Sequence, residues 1–142
     1  MFKAWIKTGF CWLLAAFFLL AGIFLHFFEA ESAAKIVPPF LPFPLLIVQI
    51  TGVMEILFAL GLVWPKWKYY TGIVLSLYLL AVLPANIYMA IAGMPLGGHD
   101  LSAFQLWFRV FLQFPLIALV LWATGFWEKP FRNLFKRSDE AA

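Results

Sequence analysis

A helical bundle crossing a membrane four times is the fold class this sequence predicts, and three observations carry it. Of its 142 residues, 65% are hydrophobic and 12% charged, whereas a soluble domain is about 45–50% apolar and about 25% charged. The apolar residues gather into four runs, Gly9–Phe28, Leu45–Trp64, Tyr69–Gly93 and Phe104–Trp127. Each is long enough to cross a hydrocarbon core of about 30 Å, which takes about 20 helical residues. None alternates apolar with polar side chains as barrel strands do, so helices satisfy the backbone groups in lipid. The expected architecture is all-α, one domain over residues 1–142, with helices at about 9–28, 45–64, 69–93 and 104–127.

The first run precedes "AES", small residues that suit a signal-peptide cleavage site. Signal h-regions are about 7–15 residues long; this one is longer and rich in Phe, so it is expected to stay as a helix. Its Cys11 is the chain's one cysteine, which excludes an internal disulfide or a C-x-x-C redox pair. A small buried hydrophobe is the expected role.

Between the first two runs lies "IVPPFLPFPL", too apolar for a simple solvated loop. It is expected at the outer interface or folded back over the bundle, with Pro44 opening the second helix. "WPKWK" is a tight turn whose tryptophans suit an interfacial belt. In "GMPLGGHDLSA", Ser102 is placed to cap the fourth helix. Residues 128–142 form a basic tail.

Charge predicts the orientation. Lys3 and Lys7 precede the first run, Lys66 and Lys68 separate the second from the third, and Lys129, Arg132, Lys136 and Arg137 follow the fourth. The other two loops hold Lys35 with Glu29, Glu31 and Asp100. This alternation is the positive-inside pattern, with both termini cytoplasmic. The net charge of +3 is thus a mark of topology, and no nucleic-acid partner is expected.

Few polar groups stand inside the runs: His26 in the first, Gln49, Thr51 and Glu55 in the second, Asn86 and Tyr88 in the third, Arg109 and Gln113 in the fourth. With that orientation they all fall in the outer half or at the midplane. Cα–Cβ bonds lean toward a helix's N-terminus, so Glu55 and Gln113 lean outward while His26 and Asn86 lean inward, toward one layer. Arg109 and Gln113, at i and i+4, share a face. A polar pocket opening outward is expected, with Glu55, Asn86, Arg109, Gln113, His26, Gln49 and Tyr88 as its candidate ligand-binding residues.

Structural roles compete for each. Asn86 and Gln113 suit interhelical hydrogen bonds worth about 0.6 kcal/mol each, and Asn86 could serve the carbonyl that Pro84 frees. His26 is shallow enough to reach headgroups, and Tyr88 suits an aromatic belt. No second ligand accompanies His26 at metal spacing, so no metal site is expected. Glu55 and Arg109 each cost at least about 2.5–3.5 kcal/mol within a membrane. Either they pair with each other, or burial favours a neutral Glu55 that can donate a hydrogen bond or pass a proton, and Arg109 faces Asp100, a headgroup or an anionic ligand.

"GVMEILFALGLVWP" (Gly52–Pro65), "LPANIYMA" (Leu83–Ala90) and "LWFRVFLQFPLIALVLWAT" (Leu106–Thr124) resemble the DoxX family of small four-helix bacterial membrane proteins. By that resemblance Glu55, Asn86, Arg109 and Gln113 stand at motif positions. The family's Gly-x-x-His-Phe shape is matched less well, because Gly22 to His26 is one residue longer. The resemblance implies a bacterial cytoplasmic (inner) membrane location and a redox-associated subunit. Its pocket would bind a quinone or a similar lipophilic molecule, with no intrinsic cofactor and with a partner membrane or redox protein. The alternative is a non-catalytic accessory or scaffold protein that stabilises partner membrane proteins. A small-solute transporter would need an exit through the apolar inner half.

Overall fold

The computed structural model describes residues 2–95 and 99–128. The basic residues Lys129, Arg132, Lys136 and Arg137 of the expected tail lie outside the described residues, as does part of the "GMPLGGHDLSA" loop. The element order is α1 (Phe2–Ile23), a π-helical turn (Phe24–Phe28), α2 (Ala30–Ala34), α3 (Pro44–Val63), α4 (Lys68–Ala92), α5 (Ala103–Ala123) and a 3-10 turn (Phe126–Glu128). No strand occurs among the described residues. Four helical segments, Lys3–Phe28, Pro44–Val63, Lys68–Ala92 and Ala103–Ala123, are long and apolar enough to cross a membrane.

The two outer boundaries of the bundle differ from the expected ones. α1 begins at Phe2 rather than near Gly9, and it includes both lysines that the sequence places ahead of it. Lys7 is buried because it has partners: its Nζ lies 2.7 Å from Glu128 Oε1 and 5.4 Å from the centroid of the Trp122 ring. α5 stops at Ala123 rather than Trp127. Thr124 caps its end, and Gly125, at φ +89°, takes a left-handed conformation that side chains disfavour. The chain then turns into Phe126–Glu128, which delivers Glu128 to Lys7.

The other helix ends follow local chemistry. Pro44 opens α3, where its fixed φ suits the first helical turn. Ser102 caps α5 through a reciprocal box: its hydroxyl accepts from the Gln105 N–H, and Gln105 Oε1 accepts from the Ser102 N–H at 2.9 Å. α4 runs through Pro84 without a break and ends at Gly93, φ +61°.

Two apolar clusters hold the bundle. At the end carrying the N-terminus, Leu62, Leu75 and Val120 pack with Cys11 and Phe18. At the far end, Met89, Leu106 and Val110 pack with Ile36, which comes from the α2–α3 connection. The proline-rich segment therefore folds back over the bundle, and its Pro38 is buried.

Close contact between α1 and α3 rests on two glycines. A Cβ at Gly22 would stand 2.9 Å from the Gly52 carbonyl oxygen, and one at Gly52 would collide with the His26 side chain. Large apolar side chains such as Trp12, Leu57, Leu60, Leu77 and Phe111 cover the outside of the bundle, a surface compatible with lipid.

Candidate functional site

Between the two apolar clusters the polar residues of the π-helical turn, α3, α4 and α5 meet around a cavity of about 620 Å³. Sites for small molecules occupy about 300–1,000 Å³ and are mostly apolar with a few placed polar groups. Phe18, Leu79 and Leu116 line the part nearer the termini, and Ala33, Ile36 and Val37 of the folded-back segment line the far side.

Glu55 forms the centre. On α3 it follows Val48 and Thr51 at i+7 and i+4, so all three face inward, and all three line the cavity. Its Oε1 accepts a hydrogen bond of 2.8 Å from the Tyr78 hydroxyl of α4. Its Oε2 has no hydrogen-bond partner and lies 3.6 Å from His26 Nδ1.

His26 reaches this position through the π-helical turn. The Glu29 N–H donates to the Phe24 carbonyl, five residues back, at 3.0 Å, and such a wide turn accommodates one extra residue in a helix. His26 Nδ1 also lies 3.2 Å from the Ala21 carbonyl oxygen, an acceptor only, so this nitrogen carries the ring proton in that contact.

Asn86 and Gln113 serve each other. Asn86 Nδ2 donates to Gln113 Oε1 at 2.9 Å, and Gln113 Nε2 donates to the Leu79 carbonyl. Leu79 lies five residues before Pro84, next to Leu80, whose carbonyl stands four residues before the proline and loses its N–H donor to it. Asn86, weighed from the sequence as one group that could serve the freed carbonyl, donates to Gln113, and Gln113 reaches the backbone at the neighbouring Leu79.

Arg109 also lines the cavity. Its Nε is buried without a hydrogen bond. Among the described residues it forms no ion pair, with Glu55 or with the exposed Asp100. The Glu55–Arg109 pair weighed from the sequence is absent, because Tyr78 and His26 take up the carboxylate instead.

Five of the seven candidate residues thus line one cavity: His26, Glu55, Asn86, Arg109 and Gln113. Gln49 and Tyr88 do not. Gln49 is exposed, one position and about 100° round α3 from Val48. Tyr88 is half-buried and stands two positions, about 200°, round α4 from Asn86.

Tyr78 is the principal residue that the sequence reading leaves out. It precedes Asn86 by eight residues, with Val82 between them at i+4, and this stripe spacing is the signal that marks it. Among the described residues, no three of His, Cys, Asp and Glu gather closely enough to hold a metal ion.

Chemically, the site sets a carboxylate, an imidazole, a phenol and a guanidinium around an apolar space. It can orient a polar head by hydrogen bonds and house an apolar body. No curated protein and no solved structure matches the chain. The family described as Domain of unknown function (DUF8561) matches residues 14–124, a span that runs from α1 to the end of α5 and includes every cavity-lining residue named above. The chain belongs to the DUF8561 family.

Proposed function

We propose that this protein is a DoxX-like integral protein of the bacterial cytoplasmic membrane that binds a lipophilic small molecule with a polar head in the Glu55–His26–Arg109 cavity. Quinones are one such class, and a redox-associated subunit working with a partner membrane or redox protein is the physiological setting. Both termini face the cytoplasm and the cavity lies in the outer half of the bilayer, by the positive-inside distribution of Lys and Arg.

One observation carries the reading. A cavity of about 620 Å³ separates two well-packed apolar clusters, and its wall includes two charged side chains, each with a buried polar atom lacking a hydrogen bond, Glu55 Oε2 and Arg109 Nε. A bundle held together only by packing gains nothing from such groups, which cost several kcal/mol in lipid. Asn86 and Gln113 belong to the support of the site, since their hydrogen bonds are directed at each other and at the backbone.

Mass spectrometry of small molecules retained after mild extraction tests the proposal, with the unmodified protein beside Glu55→Gln. A lipophile held by the former and lost from the folded variant is expected. Equal retention, or none in either, overturns the binding function and leaves the accessory or scaffold role.

A further inference from the structure

Arg109 is the cavity's unanswered charge. An arginine side chain keeps its proton in proteins and carries five N–H donors in a rigid fork. Yet its Nε is buried with no acceptor, and among the described residues it forms no ion pair. Glu55 does not answer it: its Oε1 accepts from Tyr78 at 2.8 Å, and its Oε2 stands 3.6 Å from His26 Nδ1 and forms no ion pair with Arg109. Asp100, the acidic residue in the connection to α5, is exposed and unpaired with Arg109.

We infer that the cavity takes an amphiphile with an anionic head, a carboxylate or a phosphate, which pairs with the Arg109 guanidinium while the apolar body fills the space below it. This rests on the cavity being a lipophile site and names the class of lipophile. The fork geometry of arginine matches both acids through two parallel hydrogen bonds, and a neutral head would leave the charge uncompensated.

Position supports the same arrangement. Arg109 lies six residues into α5, about 9 Å from its start, while Glu55 lies eleven residues into α3, about 16 Å from its start. An acid group at Arg109 is therefore shallow and displaced from the Glu55 carboxylate. Leu112 and Leu116, one and two turns deeper on α5, continue the wall as apolar surface for a chain.

The test uses the full chain in phosphatidylcholine nanodiscs, titrated by native mass spectrometry with oleate, oleyl alcohol and decylubiquinone. Oleate is expected to bind about tenfold or more tightly than oleyl alcohol, a charge-assisted preference. Arg109→Gln should reduce that ratio to about threefold or less with little change for the alcohol. Arg109→Lys, which keeps the charge but not the fork, should retain an intermediate ratio.

Equal binding of oleate and oleyl alcohol to the unmodified protein overturns the inference without needing any variant. So does a preference that survives Arg109→Gln. If the neutral probes bind and oleate has no advantage, the inference fails and the lipophile site stands. If none of the three binds, the site itself fails and the inference with it. Discs containing phosphatidylglycerol separate the sources of the anion: an oleate preference suppressed there assigns Arg109 to a lipid phosphate, and one that persists assigns it to the cavity ligand. Either supports an anionic head at Arg109.

Discussion

The Tyr78 hydroxyl donates to Glu55 Oε1 at 2.8 Å, tying α4 to α3 across the cavity wall. The Phe58 ring packs beside Tyr78 at 5.3 Å between centroids, so the phenol is held from the side while its oxygen meets the carboxylate. This contact holds one oxygen of the Glu55 carboxylate, which forms no ion pair with Arg109, and it is the first place to perturb.

Tyr78→Phe keeps the ring and removes the donor. Loss of one partner from a buried hydrogen bond costs about 1–3 kcal/mol, and membrane cycles give values toward the lower end. The variant should unfold at lower temperature. In a Glu55→Gln background the additional loss should differ measurably, since the two residues share one contact. Thermal unfolding of the four proteins in detergent checks this, and strict additivity would show that the hydrogen bond contributes nothing.

Gly52 and Gly9 should respond oppositely to alanine. A Cβ at Gly52 meets the His26 side chain, whereas one at Gly9 meets nothing within 4 Å. Gly52→Ala forces α1 from α3 or displaces His26, with a cost of about 1–3 kcal/mol. Gly9→Ala should be neutral or stabilising by about 0.5–1 kcal/mol, because alanine restricts the unfolded chain and favours helix. Unfolding midpoints measured side by side decide the matter.

Gln113→Leu removes two hydrogen bonds at once, the one from Asn86 Nδ2 and the one to the Leu79 carbonyl. Asn86→Ala removes one, at Gln113 Oε1. The leucine variant should therefore be the less stable of the two, by about 1 kcal/mol. Equal stabilities would mean that the Leu79 carbonyl has another donor in the folded protein.

Orientation is accessible to labelling. Cys11 is buried, its Sγ 3.5 Å from the Ala123 carbonyl oxygen, so it should react with maleimides only after unfolding. In a Cys11→Ser background, a membrane-impermeant maleimide applied to intact cells should label Asp100→Cys and spare Lys66→Cys. The reverse pattern would invert the topology and place the cavity in the inner leaflet.

How much of this was legible in the sequence depends on the range of the interaction. The spans are local: about twenty consecutive apolar residues mark a helix long and apolar enough to cross a membrane, whatever surrounds them. So is the Ser102–Gln105 box, since both partners lie within one turn. The shared face of Arg109 and Gln113 followed from helical spacing.

The pairings themselves were decided by tertiary structure. Periodicity fixes which side of a helix a residue occupies, and it leaves open how each helix is rotated and shifted against its neighbours. Those degrees of freedom depend on Gly22 meeting Gly52 and on the far-end cluster closing over Ile36. They gave Glu55 to Tyr78 and His26 and Gln113 to the Leu79 backbone, and they left Gln49 on the outside and Arg109 in the cavity wall with no ion pair among the described residues. The sequence by itself determined that a few costly polar groups sit among four apolar helices. Only the packed bundle decided which of them satisfy one another, because a hydrogen bond needs its partners within about 3 Å, a distance that no single helix controls.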